Sequence, residues 1–317
     1  MYEYEEVRIK MDLIQKNLLE QVAGLHEIPE GAYNIRANGT KLGRNTTANI
    51  DIVTKTDKDG IDIIIKPGTV NESVHIPVLL SESGMQECVY NDFYIEAGAD
   101  VTIISGCGIH NSGCNESRHD GIHSFHVQEG ATVRYEEKHY GEGDGIGSKV
   151  LNPITNIYLA PNSSFFMDTT QIRGVDSTHR ETYIELEENA KLQVIEKMMT
   201  DGTQSALTNM EVVMKGADSS AQIISRSVAK GNSVQTFHPK AIGKALCHAH
   251  IQCDSIIMDQ AEVCSIPEIN AKHLDAAIIH EAAIGRINDE QLMKLRTLGM
   301  TAEEAESVII ENFLGES

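Results

Sequence analysis

Two short stretches of the chain concentrate cysteine and histidine, the side chains that bind soft metals and carry sulfur chemistry. The spacing of the first stretch matches no zinc finger or ribbon, and part of it straddles a predicted turn. We therefore favour a hydrogen-bonded polar turn stack there over a metal site, and a sulfur relay is a further possibility. The candidate metal or relay residues of this stretch are Cys107, His110, Cys114 and His123.

The second stretch runs from Cys247 to Glu281 and has a clearer pattern. If it begins as a β-strand, Cys247 and Cys253 share one face with apolar residues, while His250 lies on the other face with polar ones. Isolated buried cysteines usually act as small hydrophobic residues. Here thiols recur with imidazoles and a carboxylate, a mixture that suits iron–sulfur chemistry with open, exchangeable coordination. Cys247 and His250 are the candidate metal or relay residues of this stretch.

A six-residue pattern that recurs along the chain predicts how these side chains are positioned. It has a small or polar residue, a spacer pair, and then apolar, any and apolar residues. Clear copies begin at Gly98, Gly130, Asn162, Asn189 and Asp218, with another alternating run before most of them. A strand–turn–strand unit of about 30 residues is typical of stacked coils that share one core. We predict an all-β core in the form of a right-handed parallel β-helix, that is, a β-solenoid.

The ends of the chain have helical rather than strand patterns. Residues 9–23 carry apolar side chains at helical spacing and are followed by Gly24, a helix stop signal. Capping residues at Asn288 and Thr301 predict a pair of short C-terminal helices. We expect an N-terminal helical segment and loop over 1–45, with the loop at 28–45, a β-helix core over 46–283 and a C-terminal helical segment over 284–317. The helical pair could cap the solenoid or dock a partner.

Composition excludes several classes of function. The formal net charge of −21 argues against binding to nucleic acid or to an anionic membrane surface. The acidic N-terminus is unlike a secretory leader, and no apolar run is long enough to span a membrane. We expect a cytoplasmic protein with six reduced cysteines. Phosphate-binding P-loop, GxSxG and HExxH motifs are absent from the sequence.

Several segments resemble the SufB/SufD family, the scaffold proteins of the SUF iron–sulfur assembly system. They are Cys253-Asp-Ser-Ile-Ile, Ile266-Pro-Glu-Ile, the segment from His280 to Leu292, and Arg226-Ser-Val-Ala-Lys-Gly. The resemblance covers roughly residues 80–315, and the compact length is similar to a short, SufB-like form. It implies a non-enzymatic scaffold that holds a transient iron–sulfur cluster at a dimer interface. It also implies roles in cluster assembly for Cys253, Glu281 and His280.

The resemblance further implies partners. A SufC-like ABC ATPase would dock on the C-terminal helices, so ATP would act only through that subunit. We expect its contact to use Leu292, Leu295, Ile309 and Phe313. The second scaffold subunit would be another copy of this chain or a paralogue, and a cysteine desulfurase or another donor would supply sulfur.

Two other functions fit parts of the sequence. A β-helix enzyme that acts on carbohydrate would need a pair of carboxylates, for which Asp168, Asp176 and Glu185 are candidates. The low aromatic content of 5% and the cysteine–histidine clusters argue against it. A structural adaptor without metal would leave the thiols as core residues and the tail helices as the functional part.

Overall fold

The computed structural model describes residues 11–315 and forms a parallel β-solenoid of about eight turns with helices at both ends, so the predicted fold class is confirmed. The helices are α1 (Leu13–Ala23), α2 (Asp289–Thr297) and α3 (Ala302–Leu314). The strands are β1 (Ala32–Ala37), β2 (Thr40–Asn45), β3 (Ile50–Thr54), β4 (Gly60–Ile65), β5 (Val70–Leu80), β6 (Gln86–Ile95), β7 (Asp100–His110), β8 (Ser117–Val127), β9 (Thr132–Glu142), β10 (Lys149–Leu151), β11 (Ile154–Leu159), β12 (Ser164–Arg173), β13 (Ser177–Leu186), β14 (Lys191–Thr200), β15 (Ser205–Met214), β16 (Ser219–Ala229), β17 (Val234–Gly243), β18 (Cys247–Ile257), β19 (Glu262–Ser265), β20 (Glu268–Ala271) and β21 (Ala276–Gly285).

Successive strands of the solenoid alternate between two sheets that enclose a common interior. Sheet A has the order β2-β1-β5-β7-β9-β12-β14-β16-β18-β21. Sheet B has the order β19-β17-β15-β13-β10-β8-β6-β4-β3, with β11 beside β8 and β13 and with β20 beside β17. Pairing is parallel except in the β1–β2 and β3–β4 hairpins near the N-terminal end. Sheet A ends at β21, whose second edge pairs with no strand among residues 11–315.

The six-residue repeat marks the turns that lead from sheet B into sheet A. Its first residue has a positive φ at every clear copy. Left-handed backbone is tolerated best by glycine, asparagine and aspartate, which explains why the position is restricted to these types. The residues and their φ values are Gly98 (68°), Gly130 (67°), Asn162 (60°), Asn189 (55°) and Asp218 (57°).

The N-terminal helix packs against the outer face of sheet A. A capping box between Asp12 and Gln15 begins α1, and Gly24 ends it in a left-handed conformation, as the stop signal predicts. Val22 lies so close to Gly106 that a Cβ at that glycine would approach the Val22 carbonyl oxygen to 2.9 Å. Glycine in β7 therefore allows the helix to contact the sheet. Residues 9 and 10 of the predicted helix lie outside the described residues.

The loop predicted over residues 28–45 is wrong for residues 32–45, which form the β1–β2 hairpin. Asn38 and Gly39 both have positive φ values, 47° and 75°, and occupy the turn between the two strands. Asn-Gly is a strong hairpin signal, because both of its residues accept the left-handed backbone of a tight turn. The hairpin extends sheet A by pairing β1 with β5.

The C-terminal helices fold back along the solenoid. Thr301 and Glu304 form the predicted capping box of α3, and Asn288 caps α2 through the Glu290 amide. Leu314 is buried in a cluster with Val228 of β16 and Met258. The helical pair is thus anchored through the end of α3.

Candidate functional site

The interior of the solenoid divides into an apolar lane and a polar lane. Phenylalanine, isoleucine and valine fill the apolar lane, where Phe93 stacks on Phe125 with ring centroids 4.3 Å apart. The polar lane consists of inward-facing side chains that are almost fully buried in the middle of the solenoid. Its members are Cys107, His119, His123, Glu137, His139, Arg180, Glu196, Ser225, Cys253 and His280.

Arg180 is the centre of this polar lane and is only 1% exposed. Its guanidinium donates to the Glu137 carboxylate and lies 3.3 Å from Nδ1 of His139. Its Nε lies 3.8 Å from Oε1 of Glu196 on the other side. Glu196 also accepts hydrogen bonds of 3.1 Å from Thr208 and Ser225. A buried charge requires such paired and hydrogen-bonded surroundings, and the side chains around Arg180 form one connected network.

Burial and the neighbouring charges shift the pKa values of this network in different directions. Burial alone would raise the pKa of Glu137, but Arg180, His139 and His123 together outweigh it and lower that pKa. Burial raises the pKa of Glu196, and Arg180 only partly offsets this. Burial lowers the pKa of His139 to about 4 and, together with the neighbouring histidines, that of His119 to about 3. These imidazoles are neutral at pH 7.

The first cysteine–histidine stretch divides between the lane and the surface. Cys107 is 2% exposed, and burial raises its pKa well above the usual value for a thiol. His123 Nδ1 lies 2.8 Å from the Tyr135 hydroxyl. His110 lies 3.2 Å from Glu142, and Cys114 is exposed on the loop after β7. The structure therefore brings Cys107 and His123 into the same lane and separates His110 and Cys114 from it.

The C-terminal end of the polar lane carries the thiol and the imidazole of the second stretch. Cys253 of β18 is 3% exposed, and its Sγ lies 3.2 Å from Nε2 of His280 in β21. Burial raises the pKa of Cys253 to about 11 and lowers that of His280. Ser225 lies beside Cys253 in the neighbouring strand and donates to Glu196, so the thiol extends the polar lane beyond the side chains around Arg180. A cavity of about 20 Å³ adjoins the thiol, room for one water-sized group.

Glu281 lies on the opposite face of sheet A from His280. Its carboxylate is 66% exposed and lies 3.4 Å from Nε2 of His250. The alternation predicted for β18 accounts for this outer partner, because Cys247 and Cys253 face inward while His250 faces outward. Sheet A thus separates a Cys253–His280 pair inside from a His250–Glu281 pair outside.

The other inward cysteines are too far from Cys253 to share a small site with it. Cys107 in β7 is five strand spacings away in sheet A, or roughly 24 Å. Cys247 lies six residues earlier in β18, or roughly 20 Å along the strand. Cys247 packs in the apolar lane, where burial raises its pKa. Within residues 11–315, no three ligand-type side chains are grouped so that they could hold a metal ion.

The tail helices present only part of the surface predicted for a partner. Phe313 packs with Val228 and Met258 against the solenoid. Leu292, Leu295 and Ile309 are half-buried. Met293 and Leu298 are 66% and 78% exposed. Among the described residues, no helix is both long and apolar enough to cross a membrane.

The carboxylates proposed for carbohydrate chemistry do not converge. Asp168 lies in sheet A and pairs with Lys197 at 3.3 Å, whereas Glu185 lies in sheet B beside Lys215. Asp176 pairs with Lys149 at 3.1 Å. Glycoside hydrolysis needs two carboxylates within about 10 Å on either side of one bond. These three residues do not supply that arrangement.

Comparison with known families gives this arrangement its context. Residues 81–313 match the SufBD core domain of SUF system FeS cluster assembly. The chain belongs to the SufBD family. The match includes all of the polar lane from Cys107 to His280 as well as most of the tail helices.

Individual SufBD relatives agree with this assignment. An iron–sulfur cluster assembly SufBD family protein of Pyrococcus horikoshii is 27% identical over 94% of this chain and 85% of its own length. A relative from Methanothermobacter thermautotrophicus is 23% identical over 75% of this chain. A third, from Galdieria sulphuraria, is 28% identical over 56% of this chain and 82% of its own length. The alignment spans 57% of the Methanothermobacter protein, so this chain covers little more than half of that relative.

Sequence reasoning missed the centre of the polar lane. Glu137, His139, Arg180 and Glu196 were not singled out, although each occupies an inward position in an alternating strand. A polar residue at an inward position of an otherwise apolar alternation is the signal that could have found them. Their contact across 43 residues of sequence, as between Glu137 and Arg180, could not be inferred from spacing.

Proposed function

We propose that this SufBD protein is a scaffold on which a nascent iron–sulfur cluster is built at the C-terminal end of the β-solenoid. The carrying observation is the 3.2 Å contact between Cys253 Sγ and His280 Nε2 at the last turn. The cluster is the cargo of this reaction, and the residues present supply a thiolate and an imidazole, both suitable iron ligands. Iron binding would lower the pKa of Cys253, because a ligand must be deprotonated.

A second subunit would complete the site. Cys253 and His280 provide two donor atoms, and an iron–sulfur cluster needs more. The edge of β21, to which no strand of residues 11–315 pairs, and its exposed apolar side chains support pairing with another copy of the chain or with a paralogue. Ile279 and Ile284 are 48% and 41% exposed there. Glu281 and His250 on the outer face are candidate additional ligands.

An ABC-type ATPase would act through the tail helices, and the protein itself would not be an enzyme. Leu292, Leu295 and Ile309 remain candidates for this contact, and the exposed Met293 and Leu298 extend the surface. Phe313 would contribute indirectly, because it anchors α3 to the solenoid. The function implies a cytoplasmic setting and a sulfur donor such as a cysteine desulfurase.

Cys107 is the candidate for sulfur transfer rather than for ligation of the same cluster. Its distance of roughly 24 Å from Cys253 rules out a shared set of ligands within one chain. It lies in the same polar lane as Cys253, which supports a relay along the interior. Cys114 and His110 lie outside that lane and would serve only as an entry point.

The scaffold role is tested by anaerobic reconstitution with ferrous iron and sulfide, followed by visible absorption and iron and sulfide analysis. The wild type, Cys253→Ala and Cys247→Ala are compared, because both cysteines face inward from β18 and are similarly buried. We expect a cluster in the wild type and in Cys247→Ala and none in Cys253→Ala, with circular dichroism unchanged. Equal cluster content in all three folded proteins would contradict the proposal.

A further inference from the structure

The sequence of β21 consists largely of consecutive pairs of identical residues. Along the strand it reads Ala276-Ala277, Ile278-Ile279, His280-Glu281 and Ala282-Ala283. Even-numbered residues share the inner face in the observed register, in which Cys253 lies opposite Ala282. Over residues 276–283 the two faces of this strand are therefore identical in composition apart from His280 and Glu281.

The neighbouring strand β18 has no such ambiguity. Its inner face carries Cys247, Ala249 and Ile251, whereas its outer face carries polar residues such as His248 and His250. A one-residue slip moves every side chain of a strand to the other face, so a strand with one apolar and one polar face has a strongly specified register. β21 lacks that specification.

We propose that β21 exchanges between two registers one residue apart, which present His280 and Glu281 alternately to Cys253. When each inward position is taken by the next residue in sequence, alanine replaces alanine and isoleucine replaces isoleucine in the interior. Glu281 then takes the place of His280 beside the thiol. Farther along, Gly285 replaces Ile284, a position that is already 41% exposed.

The position of β21 in the fold permits this movement. In the described part of the chain it is the last strand of sheet A and is hydrogen-bonded to β18 alone within that sheet. The turn before it, residues 272–275, includes the fully exposed Leu274 and can take up one more residue. After it, three residues connect the strand to α2, so the slip draws the tail helices toward the solenoid by about 3.3 Å.

A cation selects between the two registers. A carboxylate without a partner is costly to bury, so the observed register, with the imidazole in the lane, is the major one when no metal is present, and the slipped register is a minor one. A single metal ion bound between the Cys253 thiolate and the Glu281 carboxylate would compensate that charge, at a stage before a cluster with His280 as a ligand is built in the observed register. A ligand that binds one state better shifts the population toward it. The use of this exchange in cluster assembly rests on the function proposed above, whereas the exchange itself does not.

The register can be read by disulfide trapping in the full chain. The exposed Cys88, Cys114 and Cys264 are changed to Ser, and either Ala282→Cys or Ala283→Cys is added. Adjacent strands lie about 4.8 Å apart, which suits a disulfide. Cys253 can link to the thiol introduced by Ala282→Cys in the observed register, and to that introduced by Ala283→Cys only after the slip. The proteins are held in a metal-free glutathione buffer, and the links are counted by mass spectrometry.

A substitution at Ile279 can hold β21 in the observed register, and a second substitution at the same position serves as its control. Ile279→Lys places its ammonium in solvent in the observed register but inside the solenoid, opposite Ala249, after the slip. Ile279→Val can occupy either face. We expect Ile279→Lys to reduce the disulfide between Cys253 and position 283 at least about tenfold, because burial of an unpaired ammonium is strongly unfavourable. The disulfide between Cys253 and position 282 stays unchanged, and Ile279→Val preserves both.

Two results would overturn the exchange. One is the absence of any disulfide from Cys253 to position 283 in the Ala283→Cys protein while the Ala282→Cys protein forms its own. The other is a disulfide to position 283 that Ile279→Lys leaves unchanged, since fraying of the strand end would then explain it. Neither readout involves iron or sulfide, so failure of this proposal is distinguishable from failure of the scaffold function.

Discussion

Cys107 and Cys253 are two buried thiols of the same polar lane in different surroundings. Cys107 lies in β7, enclosed by further turns of the solenoid on both sides, and its pKa is raised by complete burial. Cys253 lies one strand from the end of sheet A and contacts His280 on the last strand. Burial is similar, at 2% and 3% exposure, but Cys253, unlike Cys107, lies one strand away from the edge of β21, which pairs with no strand among residues 11–315. The position along the solenoid, rather than the type of residue, distinguishes a core thiol from a candidate ligand.

The closed middle of the lane should be the part on which stability depends. Arg180→Met removes the guanidinium that pairs with Glu137 and leaves buried carboxylates without a partner. We expect a loss of roughly 3–5 kcal/mol in the free energy of unfolding, measured in urea. Arg134→Met is the control, because its pair with Asp100 is about half exposed and should be worth at most about 1 kcal/mol. Equal losses in the two variants would contradict the account.

The middle and the C-terminal end of the lane should also differ in their response to acid. The pKa of His139 is about 4 in the folded protein and near 6.5 when unfolded, so the unfolded state binds the extra proton between these values. Stability is therefore full above about pH 6.5 and falls as the pH decreases toward 4. His139→Gln should reduce this acid-dependent loss in the free energy of unfolding by roughly 1–3 kcal/mol. His280→Gln should reduce the same loss by a smaller amount, because His280 is only partly buried. Thermal denaturation between pH 4 and 8 measures both, and a larger effect at His280 would reverse the comparison.

The sequence predicted the fold where local chemistry restricts the backbone. The repeat beginning at Gly98 and Asn162 identified left-handed turns, because few residue types tolerate a positive φ. The strict alternation of β18 correctly placed Cys253 and His250 on opposite faces. The Asn38-Gly39 turn carries an equally local signal, which the prediction of a loop over 28–45 overlooks.

The arrangement of the candidate site was less predictable for two physical reasons. The paired residues of β21 do not specify which of His280 and Glu281 faces inward, so their separation by the sheet could not be inferred from alternation. The contacts of Arg180 with Glu137 and Glu196 depend on how turns stack, which sequence spacing does not encode. Local sequence patterns predict on which face of a strand a side chain lies. The contacts between site residues depend instead on strand register and on the stacking of successive turns.

The central claim is that the cluster forms at the open end of the lane, with His280 among its ligands. Pulsed electron paramagnetic resonance of the reduced, reconstituted protein detects nitrogen bound to the cluster. We predict a nitrogen coupling in the wild type and in Cys107→Ala that is lost in His280→Gln. The same coupling in His280→Gln, or a cluster that survives Cys253→Ala but not Cys107→Ala, would contradict the account.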